Sequence, residues 1–248
     1  PAEFGEEALK AQAVAARTYA VKRIKQEGLE RAGYDVDTTV KTQAWMSDAE
    51  MRKKWGWLNY WRYQNKMAKA VAQTRGMVLV YNGELIDAFF HSSSGRKPTE
   101  RSEDVWSSSR PYLQNVSSEE ENPQRYVKTY KFTAQELYMK MGLKENSQQL
   151  GSKDFQVLSK SAAGRAKSIQ VLGKIYTAAQ VRTALGLASA DIEYSLSLGG
   201  ITITTYGNGH GVGMSQWGAN DLAKKNEKVS DILAHYYPGS KLMNLKNM

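Results

Sequence analysis

An alanine-rich segment close to the start of the chain places the strongest limit on the fold. Residues 6–26 contain six alanines and no glycine or proline, with acidic residues in the first turn and basic residues in the last, which predicts one long helix. One apolar stripe consists of Leu9, Ala13, Ala16, Ala20 and Ile24. Val14 and Val21 fall on another side, so we expect the helix to be buried on most of its circumference. A helix covered in this way needs several other elements packed around it.

Two β-hairpins are the best-defined of those other elements. Their strands span residues 77–81, 85–90, 191–198 and 201–206. Asn82-Gly83 and Gly199-Gly200 supply the turns, and the alternation Ile-Thr-Ile-Thr-Thr in the last strand predicts one buried face. We therefore predict an α+β fold in which the buried N-terminal helix packs on antiparallel β-hairpins.

A second helical region and a mixed segment complete the organisation. Residues 48–72 predict a helix crowded with tryptophan and tyrosine. From Tyr126 onward strands and short helices alternate, so we expect a second, mixed α/β lobe or insertion at about residues 124–190 within one domain spanning residues 1–248. The expected strands lie near residues 127–132, 155–159 and 168–172, and helices begin at Thr133 and Thr177. Residues 96–124, with an acidic run at 119–121, predict a solvated loop.

Composition narrows the chemistry and the partners. The chain has no cysteine, which excludes disulfides, thiolate nucleophiles and cysteine-ligated metal sites. A net charge of +9 favours nucleic acid, an anionic membrane or an anionic cell wall as partner, and no nucleic-acid-binding module is recognisable. No apolar run approaches the roughly 20 residues that span a membrane. Because the chain begins at Pro1 rather than methionine, we expect a processed or truncated chain whose anchor could lie upstream.

Two of the three histidines lie in loops that leave the hairpins. His91 precedes a serine-glycine loop, and His210 lies in a run with glycine at 207, 209, 211 and 213, where a ligand can approach the backbone closely. That run matches neither a phosphate loop nor the dinucleotide fingerprint. We expect Ser215 to cap the helix that follows. Three alternatives stay open: a tight packing connection, a Ser215 nucleophile with His210 as base, and a metal site of both histidines and a carboxylate.

The first helix supplies a candidate carboxylate. Glu7, Lys10 and Arg17 fall within one sector of the helix, together with apolar residues. Two structural roles for Glu7 stay open: an i,i+3 ion pair at an exposed helix start, and a favourable charge at the N-terminal end of the helix dipole.

Four blocks of sequence carry a resemblance to a known family. They are EALKAQAVAARTY at residues 7–19, HSSSG at 91–95 with Thr99 and Trp106, GHGVGMSQWGA at 209–219, and HYYPG at 235–239. In this order they resemble the family of stage II sporulation protein D, whose wider relatives include amidase-enhancer proteins. The family often has a further glycine after HSSSG, where this chain has Arg96 and then Lys97, so the detailed shape of that loop is not carried over.

The resemblance implies a lytic transglycosylase that cleaves the N-acetylmuramic acid to N-acetylglucosamine bond of peptidoglycan during engulfment in sporulation. The muramic acid's own 6-hydroxyl attacks C1 and gives a 1,6-anhydro end, so one carboxyl group can act first as acid and then as base. The family's catalytic glutamate corresponds to Glu7. The alternative is a non-catalytic cell-wall-binding protein that activates or recruits an amidase.

The resemblance also implies partners and a location. The partners are glycan strands denuded of stem peptides, a cell-wall amidase and a membrane scaffold protein, with no role for nucleic acid. The location is the extracytoplasmic face of the cell membrane, held by an upstream anchor. Some relatives bind zinc through cysteine and histidine, but this chain has no cysteine and no histidine near residues 38–48, so we predict no structural zinc and no cofactor.

We expect a sugar-binding groove where the first helix, the His91 loop and the glycine-rich loop converge. The expected substrate contacts are Lys10, Gln12, Arg17, His91, Ser93, Ser94, Trp106, His210, Ser215 and Gln216. Glu7 must be protonated for the first step, which an apolar setting favours and a nearby cation opposes. We therefore expect Lys10 and Arg17 to engage other partners or the saccharide, leaving Glu7 the more buried group.

Overall fold

The computed structural model describes residues 2–27, 46–106, 108–118, 120, 122–144, 147 and 149–247. In these residues helices alternate with mostly antiparallel strands, which confirms the α+β class. The chain forms two compact units, one of Pro1–Phe89 with Ala219–Met248 and one of Phe90–Gly218. The predicted lobe at about residues 124–190 lies inside the second unit, and its separate character stays a prediction. None of the described helices is both long and apolar enough to cross a membrane.

The described residues form seven α-helices and eleven strands. The helices are α1 (Glu6–Glu27), α2 (Asp48–Gln73), α3 (Ser102–Trp106), α4 (Ala134–Lys140), α5 (Ala178–Leu185), α6 (Gln216–Lys224) and α7 (Val229–Tyr236). The strands are β1 (Met77–Tyr81), β2 (Glu84–Leu85), β3 (Phe90–His91), β4 (Val127–Thr133), β5 (Phe155–Lys160), β6 (Ala166–Val171), β7 (Lys174–Thr177), β8 (Ile192–Ser197), β9 (Gly200–Tyr206), β10 (Met214–Ser215) and β11 (Lys241–Asn244).

Helix α1 is covered on most sides, as predicted, but its most buried residues are not those of the predicted stripe. Every residue at positions 6–23 is at least partly buried, whereas Ile24 of the predicted stripe is 45% exposed. The buried positions are Ala8, Ala11, Val14, Ala15 and Thr18. The Thr18 hydroxyl donates to the Val14 carbonyl and accepts from the Leu79 N–H at 2.9 Å. The stripe prediction is wrong, because Leu9, Ala13, Ala16 and Ala20 are only partly buried and Ile24 is exposed, whereas Thr18 bonds to strand β1.

In the first unit, the hairpin at β1 and β2 forms with the predicted turn. Asn82 and Gly83 both have positive φ, at 51° and 84°, the conformation that an Asn-Gly hairpin turn requires. The second strand is shorter than predicted, since β2 ends at Leu85. Strand β1 pairs with β11 on its other edge, and α2 contains a kink at Gly56.

The second unit contains two three-stranded sheets, in the orders β4-β9-β8 and β5-β6-β7, and the short parallel pair β3-β10. Its core includes Leu137, Phe155, Ile169, Val181 and Ile203, which lie on both sheets and on helices α4 and α5. The predicted alternation of β9 is confirmed, because Ile201, Ile203 and Thr205 are buried and the residues between them are not. Strand β7, and helix α3 within the expected loop, were not predicted.

Candidate functional site

Glu7 lies in the first turn of α1, and both of its carboxylate oxygens are held. Oε1 accepts a hydrogen bond from Lys10 Nζ at 2.8 Å, and Oε2 accepts one from the backbone N–H of Val229 at 2.8 Å. Val229 is the first residue of α7, so the carboxylate lies at the positive end of that helix. The Glu7 side chain is 22% exposed. It is therefore fixed in orientation and still reachable from solvent.

These contacts decide the charge of Glu7. Burial raises its pKa, but the hydrogen bonds from Lys10 and Val229, with the charges of Lys10 and Lys228, outweigh burial and hold the pKa below the ordinary 4.5. Glu7 is thus a carboxylate at neutral pH. The expectation that Lys10 engages another partner is wrong, because side chains three and four residues apart on a helix are neighbours, and Lys10 pairs with Glu7 and Glu6. Lys10, at 17% exposed, is also more buried than Glu7.

Arg17 fulfils the other half of that expectation. Its Nη1 donates to the carbonyl oxygens of Thr74 at 2.7 Å and Met77 at 2.9 Å, which flank the turn from α2 into β1. Loss of water around the guanidinium lowers its pKa. These bonds give Arg17 a structural task in the first unit, while Gln12 lies partly buried on the same helix.

In the second unit, backbone pairing joins the His91 loop to the glycine-rich loop. Strand β3 runs parallel to β10, with Ser215 opposite His91. Ser93 and Asn208 exchange two backbone hydrogen bonds, at 3.0 and 2.8 Å. The ring centres of His91 and His210 consequently lie 5.7 Å apart. The structure thus brings together two histidines that are far apart in sequence.

Gly209 is what allows these loops to approach so closely. Its φ is +119°, and a Cβ at this position would lie 2.7 Å from the Cβ of His91. Any other residue would carry both backbone strain and a clash. The packing alternative therefore accounts for at least this glycine of the run.

Both histidines are held in the neutral form. His91 Nδ1 donates to the Val212 carbonyl at 3.2 Å, and Nε2 accepts from the Ser94 hydroxyl at 2.8 Å. Burial, and then the nearby positive groups, hold the pKa of His91 well below its ordinary value. Burial and the charge of Arg182 lower the pKa of His210 to about 4. Neutral rings of this kind can bind a ligand through hydrogen bonds or ring contacts but do not supply positive charge.

The arrangement does not favour a metal site. Both ring nitrogens of His91 are engaged within the chain, which leaves no lone pair for a metal ion. Across the described ranges, no three side chains of the histidine, aspartate or glutamate type are grouped so that they could hold a metal. The prediction of no structural zinc near residues 38–48 concerns a segment that lies mostly outside the described residues.

Glu120 is a site residue that the sequence did not predict. Its carboxylate accepts hydrogen bonds from four donors: the hydroxyls of Ser93 and Ser215 and the backbone N–H groups of Ser94 and Gly95. Burial raises the pKa of Glu120, and this effect exceeds the lowering by the four donors. The carboxyl group thus holds the His91 loop against the start of α6.

The prediction of a solvated acidic run is wrong at Glu120. Its neighbours at positions 119 and 121 lie outside the described residues. A run of three glutamates carries no pattern that separates one member from the others, so the sequence offers no signal for this role. Only the fold, which places an N–H-rich loop beside it, selects Glu120.

Ser215 caps α6 as predicted, since the Gly218 N–H donates to its Oγ at 3.2 Å. The side chain is fully buried, and its hydroxyl proton is donated to Glu120 at 2.9 Å. This contradicts the alternative of a Ser215 nucleophile activated by His210. Ser94 is also fully buried, with its hydroxyl on His91. Both hydroxyls therefore serve to hold the two loops.

Trp106 and Gln216 lie nearer the surface of this unit. Trp106 ends α3, is 41% exposed, and its ring centre lies 4.9 Å from that of His210. Gln216 is the first residue of α6 and is partly buried. The predicted cleft that would join these loops to Glu7 stays a prediction.

Comparison with known proteins places the chain in a family. A family model described as Stage II sporulation protein matches residues 1–81. Stage II sporulation protein D of Bacillus subtilis (strain 168) is 40% identical over 247 residues, which cover 98% of this chain and 70% of the relative. The chain belongs to the stage II sporulation protein D family. The Bacillus amyloliquefaciens member is 39% identical over 96% of this chain and 69% of its own length. The amidase enhancer of Bacillus subtilis is 30% identical over 98% of this chain and 39% of its length.

In this member of the stage II sporulation protein D family, the HSSSG loop is followed by two cations with defined partners. Arg96 lies over the Tyr206 ring at 3.5 Å and pairs with Asp191 at 3.0 Å. Lys97 Nζ lies 2.9 Å from the same carboxylate. These contacts tie the loop to the β8-β9 hairpin.

Proposed function

We propose that this chain is a lytic transglycosylase that cleaves peptidoglycan glycan strands, with Glu7 as the single acid and then base. The observation that carries the proposal is the state of Glu7: it is a solvent-reachable carboxylate with both oxygens held, on a helix that is buried on most sides. The resemblance to the family also implies that its catalytic glutamate corresponds to this position. A fixed carboxylate can deliver and recover a proton without reorienting.

The reaction places opposite demands on Glu7 in its two halves. In the first half the Glu7 carboxyl protonates the oxygen of the leaving N-acetylglucosamine; in the second half its carboxylate takes the proton of the muramic acid 6-hydroxyl as this oxygen bonds to C1. The low pKa imposed by Lys10 suits the second half. The first half requires that a bound saccharide exclude water around Glu7, which raises its pKa. Lys10 therefore sets the balance between the two halves.

We assign the sugar contacts to those candidate residues whose side chains are at least partly exposed to solvent. Lys10 and Gln12 accompany Glu7 on α1, and Trp106, His210 and Gln216 are the partly open members of the loop cluster. An exposed tryptophan ring is suited to stacking on a sugar face. His91, Ser93, Ser94 and Ser215 are buried, and Arg17 is held by two carbonyl oxygens, so we assign these residues the positioning of the others.

The proposed substrate is a glycan strand denuded of stem peptides, and the proposed partners are a cell-wall amidase and a membrane scaffold protein. We place the protein at the extracytoplasmic face of the membrane, held by an upstream anchor.

Product analysis tests the catalytic proposal. Denuded glycan strands are incubated with the wild-type chain, with Glu7→Gln and with Glu6→Gln, and 1,6-anhydro-muramic ends are counted by mass spectrometry. Loss of acid–base catalysis costs about 10²–10⁴-fold in rate, so Glu7→Gln should be at least that slow. Glu6→Gln removes the adjacent carboxyl and should retain most activity. Anhydro ends released by Glu7→Gln at the wild-type rate would rule out this mechanism.

A second candidate is a wall-binding protein that activates an amidase without cleaving glycan. Two observations favour it: a relative is named an amidase enhancer, and Glu7 is ionised in the free protein. The two functions separate in one assay that contains whole wall and a purified amidase. Faster release of stem peptides with no anhydro ends supports the second candidate, and anhydro ends from the chain alone support the first.

A further inference from the structure

A cavity of about 130 Å³ lies within the second unit and is lined by groups of three kinds. Acidic side chains include Glu100, basic ones include Arg165 and Arg182, and Val105 with several alanines supplies apolar wall. His210 also borders the cavity, and the ring centre of Trp106 lies 4.9 Å from that of His210. Among the sugar contacts proposed above, His210 lines this cavity, and the other lining residues have no role there.

Glu100 is the group in this cavity whose bonding is incomplete. The side chain is only 2% exposed. Its Oε1 accepts from Ser161 Oγ at 2.8 Å and from Arg165 Nη1 at 3.2 Å. Its Oε2 is buried and accepts no hydrogen bond from the described residues. A buried carboxylate oxygen without a donor is costly, so Glu100 calls for an N–H or O–H group from a bound molecule.

Arg182 is a second lining residue that can bind a ligand, because it has hydrogen-bond donors to offer where Glu100 has an acceptor. It projects from α5 and donates one hydrogen bond, from Nη1 to the Gly209 carbonyl at 2.9 Å. Loss of water lowers its pKa, and no carboxylate in the described ranges offsets this effect. A guanidinium carries five N–H donors. Arg182 therefore has donors left for an acceptor on a bound molecule.

A ligand for this cavity needs a donor for Glu100, an acceptor for Arg182 and an apolar part for Val105 and the alanines. A free amine can donate to Glu100 Oε2 but offers Arg182 no acceptor, and a carboxylate can accept from Arg182 but meets an unpaired oxygen of the same charge. A neutral acetamido group offers an N–H, a carbonyl oxygen and a methyl group.

We propose that the cavity binds the acetamido group of an N-acetylated sugar, with Glu100 Oε2 accepting the amide N–H and Arg182 donating to the amide carbonyl. The methyl group packs against Val105 and Ala178, and the exposed Trp106 ring lies near enough to His210 to contact the sugar ring. The proposal rests on the function proposed above only in taking the sugar from a glycan strand. It predicts that the second unit distinguishes acetylated from deacetylated sugars.

Binding measurements with two defined probes test the proposal. The chain carrying Glu7→Gln, in which we expect cleavage to be lost, is titrated by calorimetry with the tetramer of β-1,4-linked N-acetylglucosamine and with the fully deacetylated tetramer of glucosamine. We expect the acetylated tetramer to bind at least about tenfold more tightly, the effect of a hydrogen-bond pair of ordinary strength. Equal binding of the two tetramers, or tighter binding of the deacetylated one, overturns the proposal.

A variant at the cavity mouth tests the location. Ala179 lines the cavity and is exposed, so Ala179→Phe blocks the entrance without disturbing the core. Thr183→Phe on the same helix is the matched control, because Thr183 is exposed and does not line the cavity. We expect Ala179→Phe to lose at least about tenfold in affinity for the acetylated tetramer and Thr183→Phe to lose none. An unchanged affinity in Ala179→Phe places acetamido binding elsewhere and overturns the assignment.

The two proposals fail in different ways. Acetyl-selective binding without any anhydro products would overturn the catalytic proposal and leave the cavity assignment standing. Anhydro products formed by the wild-type chain, with no selectivity between the tetramers, would do the reverse.

Discussion

At the level of single residues, Lys10 controls the protonation of Glu7. The two side chains are in contact at 2.8 Å, and the lysine lowers the pKa of the carboxyl group. Lys10→Met keeps the length of the side chain and removes its charge, so the pKa of Glu7 should rise. If Glu7 is the acid, cleavage declines as pH rises through that pKa, and the declining limb of the rate profile should move to higher pH in Lys10→Met. The measurement is the rate of anhydro-end formation across pH.

Lys69→Met is the control for this shift. Lys69 Nζ pairs with Glu6 at 3.1 Å. The variant therefore removes one positive charge, as Lys10→Met does, but beside Glu6 rather than beside Glu7. Its profile should match that of the wild-type chain. A declining limb that stays in place in Lys10→Met would show that Glu7 does not govern the rate.

His210 makes stability depend on pH. Its pKa falls from the ordinary 6.5 to about 4 in the folded chain. Between these two pH values the imidazole is protonated in the unfolded chain and neutral in the folded chain. Folding stability is therefore complete above about pH 6.5 and is lost as pH falls toward about 4, by roughly 3 kcal/mol from this group. His210→Asn should lose less stability over the same pH range, as measured by urea unfolding. Parallel curves for the two proteins would show that His210 is not held neutral.

At the level of elements, the sequence predicted correctly the features that depend on residues close together in the chain. The Asn82-Gly83 turn and the alternation of β9 were correct because both depend on adjacent residues. The parallel pair β3-β10 was not predicted, since two-residue strands carry no periodicity and their partners lie far apart in sequence. Glu120 and Glu100 were missed for the same reason, because their donors come from distant segments.

The junction of the two loops makes a quantitative prediction for Gly209. Gly209→Ala places a Cβ where it would meet the His91 Cβ, in addition to the strain of a positive φ. Gly173→Ala is the matched control, because its φ is +79° and no atom lies within 4 Å of the added Cβ. Positive φ costs a non-glycine residue about 1–3 kcal/mol, so both variants should lose stability and Gly209→Ala should lose clearly more. Equal losses in urea unfolding would mean that the loops are not closely packed.

At the level of the whole molecule, charge and sugar recognition are separate properties. The chain carries a net charge of +9, of which residues 1–75 contribute +5 and residues 121–248 contribute +7, while residues 76–120 contribute −3. The positive charge is therefore spread over long stretches of the chain rather than over one short basic segment. Spread charge favours an extended polyanion and adds little to the recognition of a neutral sugar.

Salt should therefore separate the two kinds of binding. Isolated anionic cell wall and the neutral N-acetylglucosamine tetramer are each titrated with the Glu7→Gln chain at about 0.05 M and about 0.5 M sodium chloride, a range over which the screening length falls from about 14 to about 4 Å. Affinity for the wall should fall by about tenfold or more, because counterions compete with the polyanion. Affinity for the tetramer should change by less than about twofold, because its contacts are hydrogen bonds and ring contacts within a partly buried cavity. Wall binding that is as insensitive to salt as tetramer binding would mean that the chain holds the wall through sugar contacts alone.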